Sequence, residues 1–187
     1  MTTRLVILAS GSGTLAQAIV DSTELDIDIV AVISDNRDAH VLKRAQDAGI
    51  KTLTISVGVS RDQWNTDIIQ AVAALDIDLV VSAGFMRILP PDFVNRFPTI
   101  NSHPALLPQF PGAHAVRDAL EAGVAVTGTT VHWVDDGVDT GPIITQMEVP
   151  ILPGDDEAQL HERIKKVERG LIVATIALIL PSLERNV

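Results

Sequence analysis

The sequence predicts an α/β fold: a single domain on a mostly parallel, twisted sheet, with helices on both faces and an antiparallel portion in the C-terminal half. Three observations carry this expectation. Short β-rich apolar runs alternate with helix-period segments as far as Ala83, the pattern of βαβ units. The run Asp78–Ala83 is apolar nearly throughout, which suits a central strand covered on both sides. Beyond it, prolines at 90, 91, 98, 104, 108, 111 and 142 favour loops and short strands over long helices.

Taken in order, Leu5–Ala9 reads as the first strand, and a Gly/Ser turn leads into a helix over Thr14–Ser22. Ile29–Ser34 is the second strand and Val41–Ala48 the second helix. Gly49 closes that helix, because glycine just past a helix end accepts positive φ. Lys51–Ile55 forms the third strand, and Ser60 can cap a helix reaching Leu75. After the fourth strand, short strands are expected near Thr99–Ser102, Gly128–Val134 and Ile143–Val149. Pro153-Gly154-Asp155 leads into a last helix over Asp156–Leu180. The order is Rossmann-like. With no repeat, low-complexity tract or linker, residues 1–187 read as one domain.

The chain has 187 residues, 47% hydrophobic and 20% charged, enough apolar sequence to bury a core and offset the entropy of ordering. It has no cysteine, which excludes disulfides, thiolate nucleophiles and Cys-ligated metal sites. Its 14 Lys+Arg against 24 Asp+Glu leave a net charge of −10, the wrong sign for a non-specific nucleic-acid binder. The longest apolar stretch runs only from Leu171 to Leu180, where a membrane span needs roughly 20 residues. Nothing at the start resembles a leader, so a soluble cytoplasmic protein is expected, as monomer or homodimer.

Three segments carry chemistry. Ser10-Gly11-Ser12-Gly13-Thr14 joins the first strand to a helix start, where successive backbone N–H groups can hold an anion. The spacing to Ala16, with Asp35 after the second strand, also fits a dinucleotide fingerprint loosely, and a plain tight turn is a third reading. In Asn101-Ser102-His103-Pro104, strand geometry points Asn101 and His103 to one side. An amide donor beside an imidazole suits an acyl-transfer intermediate, while a buried pair satisfying loop carbonyls is the plainer alternative. The acidic loop Asp135–Gly141 is either a solvated turn or the source of one inward carboxylate that favours an imidazolium. Calcium is a weaker option, since no EF-hand spacing is present.

Several stretches taken together are more selective. Asn101–Pro108, Phe110-Pro111-Gly112-Ala113-His114 and Val138-Asp139-Thr140-Gly141-Pro142, with the glycine turn and Gly84–Leu89, resemble the folate-dependent formyltransferases over essentially the whole chain. The resemblance implies passage of the formyl group of 10-formyltetrahydrofolate to the amine of phosphoribosylglycinamide, through a tetrahedral intermediate and without a metal. Asn101 would donate to the oxyanion, His103 would stabilise it and move protons, and Asp139 would orient His103. Gly13, Thr14 and Leu15 would hold the substrate phosphate, and Glu168 would contact the ribose or glycinamide end. A solvated acid beside Lys165, Lys166 and Arg169 is the alternative for Glu168. For folate, Met86, Arg87, Ile88 and Leu89 would line the pterin pocket opposite Asp135, Asp136, Gly137, Val138 and Asp139. Arg61 would approach the anionic tail, or else sit solvated at a helix start.

Three features depart from the family pattern: Ala105 stands where Ser is common, Leu15 where Asn is common, and the segment between Phe97 and Asn101 is short. His114 reads as loop architecture or an indirect contact, His132 as structural, and His40 and His161 as surface residues. Hydrolytic and tRNA-directed members of the family carry added domains, and a tRNA substrate would be repelled by this net charge. A non-catalytic dinucleotide-binding module is the rival of a different class.

Overall fold

The computed structural model describes residues 2–58 and 60–183. Strands β1 (Thr3–Leu8), β2 (Ile27–Ser34), β3 (Thr52–Thr54), β4 (Leu79–Ser82), β5 (Thr99–His103), β6 (Val126–Trp133) and β7 (Ile143–Pro150) form one sheet. Their order is β3-β2-β1-β4-β5-β6-β7. Pairs from β3 to β5 are parallel, and β5-β6-β7 are antiparallel, as expected from the change of character after Ala83. The chain winds outward from β1 to β3 and then returns to lay β4 on the other side of β1. That reversal opens a crevice beyond the carboxyl ends of β1 and β4, the usual place for a ligand in such sheets.

Period-two alternation sorts the core into two layers. Leu5, Ile7, Val32, Leu79, Val81 and Ile100 face one side, against α1 (Thr14–Val20), α2 (His40–Asp47) and α6 (Glu157–Leu183). Val6, Leu8, Ala31, Ile33 and Val80 face the other, against α3 (Arg61–Ala73) and α4 (Pro91–Val94). Adjacent residues of β1 and β4 therefore enter different layers, which explains the unbroken apolar runs of both strands. A smaller cluster of Val116, Val149, Leu160 and Ile164 joins α5 (Ala115–Glu121) and β7 to the start of α6.

The caps follow the local sequence. Ser60 Oγ accepts from Gln63 N at 3.3 Å, and Gly49 has φ of +73° just past α2. Two short helices depart from expectation. Both α4 and α5 lie in the proline-rich stretch read as loop. Pro91 occupies the first turn of α4, where a missing N–H costs nothing, and α5 is held by burial of Ala115, Val116 and Ala119. The last helix also runs on to Leu183, past the expected Leu180.

Candidate active site

A cleft of about 630 Å³ opens beyond the carboxyl ends of β1, β4 and β5. The glycine turn Gly11–Leu15 forms one part of its wall, the strap Gly84–Leu89 another, and Asn101–Pro104 its floor. Asn101 and His103, two apart on β5, both reach it.

His103 is held from both sides. Its Nδ1 lies 3.3 Å from Asp139 Oδ2, and its Nε2 lies 2.8 Å from the Phe110 carbonyl oxygen. Both partners are acceptors, a pairing that only the doubly protonated ring satisfies as donor at each end. Asp139 reaches this position through a tight loop. The loop folds back so closely that a Cβ on Gly141 would lie 1.8 Å from the Trp133 carbonyl oxygen, so only glycine fits there. Asp139 itself has φ of +56°, a left-handed conformation that the surrounding contacts must hold.

Asp139 accepts from more than His103. The Gly112 N–H donates to Oδ2 at 2.8 Å, and His132 Nε2 stands 3.5 Å from Oδ1. Burial alone would raise this carboxyl. The nearby His132 ring, the Gly112 N–H and the His103 imidazole outweigh burial and hold it below the ordinary carboxylate value. His132, expected to be structural only, thus sits inside the cluster. Nothing in its local sequence shows this: the loop after β6 folds back to bring Asp139 to the ring, and Asn101 faces it across the β5–β6 ladder.

At the opposite end, Gly13, Thr14 and Leu15 line the cleft at the start of α1. Gly13 has φ of +74°, and a Cβ there would lie 2.5 Å from Val41 Cγ2 and 2.8 Å from Val41 Cα. Glycine is required both for the turn and for the close passage of α2. The last helix supplies Glu168, Lys165 and His161 to the same wall. Glu168 is buried and accepts from Ser102 Oγ at 2.9 Å, so the solvated alternative is wrong. Burial pushes its carboxyl above the ordinary value, and the Ser102 hydrogen bond only partly offsets this. His161 is half-buried in the wall rather than a free surface residue, and burial, then Lys165, lowers its pKa. His40 is exposed on α2, as expected. Lys165 was legible only as a helix charge; its place in the cleft depends on how α6 packs.

The strap is tied down on two sides. Ser10 Oγ accepts from Met86 N at 2.8 Å, and Arg87 Nε donates to Asp35 Oδ2 at 2.7 Å. Asp35 is therefore committed to an arginine. Met86 and Ile88 expose their side chains in the cleft, whereas Leu89, also in its wall, is buried and belongs to the same core cluster as Trp64. Arg61 does not line the cleft. Its guanidinium donates to the Ile88 carbonyl and lies 4.6 Å over the Trp64 ring, and Trp64 in turn stacks on Phe85 at 6.2 Å. Across the opening, Asp135, Gly137, Val138 and Asp139 form the facing wall. Asp136 turns away to Asn95 Nδ2 at 3.4 Å, and Asp135 accepts from Gly137 N and Thr140 Oγ1 within its own loop. His114 also lines the cleft, at the start of α5. Among the described residues, no group of three or more His, Cys, Asp or Glu could hold a metal ion.

Residues 3–176 match the formyl transferase family model. The chain belongs to the formyl transferase family. Among its relatives, phosphoribosylglycinamide formyltransferase of Mycobacterium tuberculosis is 51% identical over 179 residues, covering 93% of this chain and 83% of the relative. The Escherichia coli protein of the same name is 39% identical over 180 residues, covering 92% and 85%. The crystal structure of glycinamide ribonucleotide transformylase 1 from Symbiobacterium toebii superposes with a TM-score of 0.90 at 41% identity, covering 94% of this chain and 86% of that one. The formyl transferase fold therefore extends over nearly all of the sheet and both helical layers.

Proposed function

We propose that the chain transfers the formyl group of 10-formyltetrahydrofolate to the amine of 5-phosphoribosylglycinamide, a step of purine biosynthesis carried out in the cytoplasm. One observation carries the reading beyond the family likeness: the buried His103 ring, paired with the partly buried Asp139, lies near Asn101 in the floor of a cleft whose two ends suit different ligands. The N-terminal half offers the glycine turn for a phosphate, with Lys165 and Glu168 from α6 for the rest of the ribonucleotide. The strap Met86–Leu89 and the facing Asp135–Asp139 wall offer backbone groups and the apolar faces of Met86, Ile88 and Val138 to a flat heterocycle. No metal is needed for so reactive a carbonyl.

In this reading the amine nitrogen attacks the formyl carbon, and the carbonyl electron pair moves onto oxygen. Asn101 Nδ2 and the His103 imidazolium donate to that oxyanion. To do so, His103 Nε2 exchanges the Phe110 carbonyl for the substrate oxygen, while Asp139 keeps the ring oriented through Nδ1. The new C–N bond is completed as the oxyanion re-forms a carbonyl and the bond to the folate nitrogen breaks. His103 gives its Nε2 proton to that leaving nitrogen and is reprotonated by the proton that the attacking amine loses. Asp136 and Arg61 support the walls from outside the cleft, and Arg61 acts by fixing the Ile88 carbonyl.

The test is a folate absorbance assay run with and without the ribonucleotide amine. Donor consumption only with the amine is expected. Consumption without it would indicate a hydrolase, and a flat trace in both would return the chain to a binding role.

A further inference from the structure

His132 stands directly opposite Asn101 in the antiparallel β5–β6 ladder, so the two side chains leave the same face of the sheet. The His132 ring is buried, and each nitrogen has a defined neighbour. Nδ1 lies 2.8 Å from the Trp133 carbonyl oxygen, and Nε2 lies 3.3 Å from Asn101 Nδ2. A carbonyl oxygen can only accept, so the proton of the neutral ring belongs on Nδ1. Nε2 is then an acceptor, and the Asn101 amide N–H is the donor it meets. The Asp139 carboxylate is 3.5 Å from the same nitrogen but already takes His103 and the Gly112 N–H on its other oxygen.

We propose that His132 is a positioning residue for Asn101. By taking one N–H of the amide, it fixes the NH₂ end inward and leaves the second N–H for the oxygen that becomes negative during formyl transfer. An amide free to turn over would present its carbonyl oxygen to that oxyanion half the time, replacing attraction by repulsion. The assignment rests on the formyl-transfer reading, since it needs an oxyanion beside Asn101. Neither residue's own sequence neighbours suggest it; the ladder register does.

Steady-state kinetics on a double-mutant cycle test this. His132→Leu should lower kcat by about 10- to 100-fold, with KM for both substrates within about threefold of wild type. His132→Gln, whose carbonyl can accept the same N–H, should recover most of that loss. In an Asn101→Ala background, His132→Leu should cost less than about twofold further. A Gln variant no better than Leu, or a Leu loss undiminished in the Asn101→Ala background, overturns the assignment. If Leu prevents folding, His132→Met fills the volume without offering nitrogen and repeats the comparison. A second readout does not depend on turnover: ¹⁵N imidazole spectra should show the Nδ1–H tautomer for His132, and a neutral ring protonated on Nε2 overturns the proposal. Absence of formyl transfer in the wild type would sink the functional reading instead, leaving His132 to be judged by its tautomer.

Discussion

Asp139 illustrates how much a single carboxylate can organise. It binds His103 through one oxygen, approaches His132 through the other, and holds the 110–114 loop through the Gly112 N–H. Its replacement should therefore be felt mainly in chemistry. His103→Ala and Asp139→Ala are each expected to lower kcat by at least about 100-fold, with the far-ultraviolet spectrum unchanged. Asp139→Asn should also shift the pH–rate profile, because a neutral amide no longer favours a charged ring; an unchanged profile would remove that role. Glu168 shows the opposite electrostatic balance. Its raised pKa means that the folded state holds the proton more tightly than the unfolded chain does. Its stability contribution is present below the ordinary 4.5 and is lost as pH rises through the higher folded value. Glu168→Gln should thus raise the melting temperature at neutral pH, with the difference fading below about pH 4. Calorimetry at both pH values checks this, and ribonucleotide KM should rise as stability improves.

At the scale of elements, the turn before α1 and the strap after β4 set the shape of the cleft. Gly13 combines positive φ with a 2.8 Å approach to the Val41 backbone, so a smaller residue at 41 cannot make room for a methyl group. Gly13→Ala should destabilise by about 2 kcal/mol or more, measured by urea unfolding, and Val41→Ala should not restore it. The strap depends on the Arg87–Asp35 pair, whose carboxylate is almost wholly buried while the guanidinium is half exposed. Because solvent screens the exposed partner, the pair is worth little in global stability and more in local order. Asp35→Asn should raise the folate KM by about threefold to tenfold while leaving kcat within about twofold. An equal fall in kcat would mean that the strap also orders the floor.

For the whole molecule, the −10 charge is compatible with the proposed phosphate site because backbone N–H groups at a helix start carry no compensating lysine requirement. Ligand binding to the folded state alone should stabilise the protein by about 2.7 kcal/mol at 100 times Kd, or about 5–10 °C in melting temperature for a chain of this size. Phosphoribosylglycinamide should produce such a shift, and NAD(P) should not, since Asp35 is engaged by Arg87 rather than open to a ribose. A large shift with NAD(P) would revive the dinucleotide reading. No helix among the described residues is long and apolar enough to cross a membrane.

The order of strands and long helices was legible in the chain because each rests on local signals: apolar periodicity, the Ser60 cap and the glycine at 49. The pairing of Asn101 with His103 was legible for the same reason, since residues two apart on a strand share a face whatever lies around them. Short α4 and α5 were not, because packing holds them against a proline-rich local preference. Nor could the chain alone show that Arg61 grips the Ile88 carbonyl, that Asp136 faces away, or that Lys165 and His161 enter the cleft. His132 and Asp35 found their partners across a ladder and across 52 positions of sequence. Local chemistry chose the elements and nominated the reacting side chains. Their burial, partners and protonation arise from long-range packing, where the sheet register and the pose of α6 decide which groups lose water together.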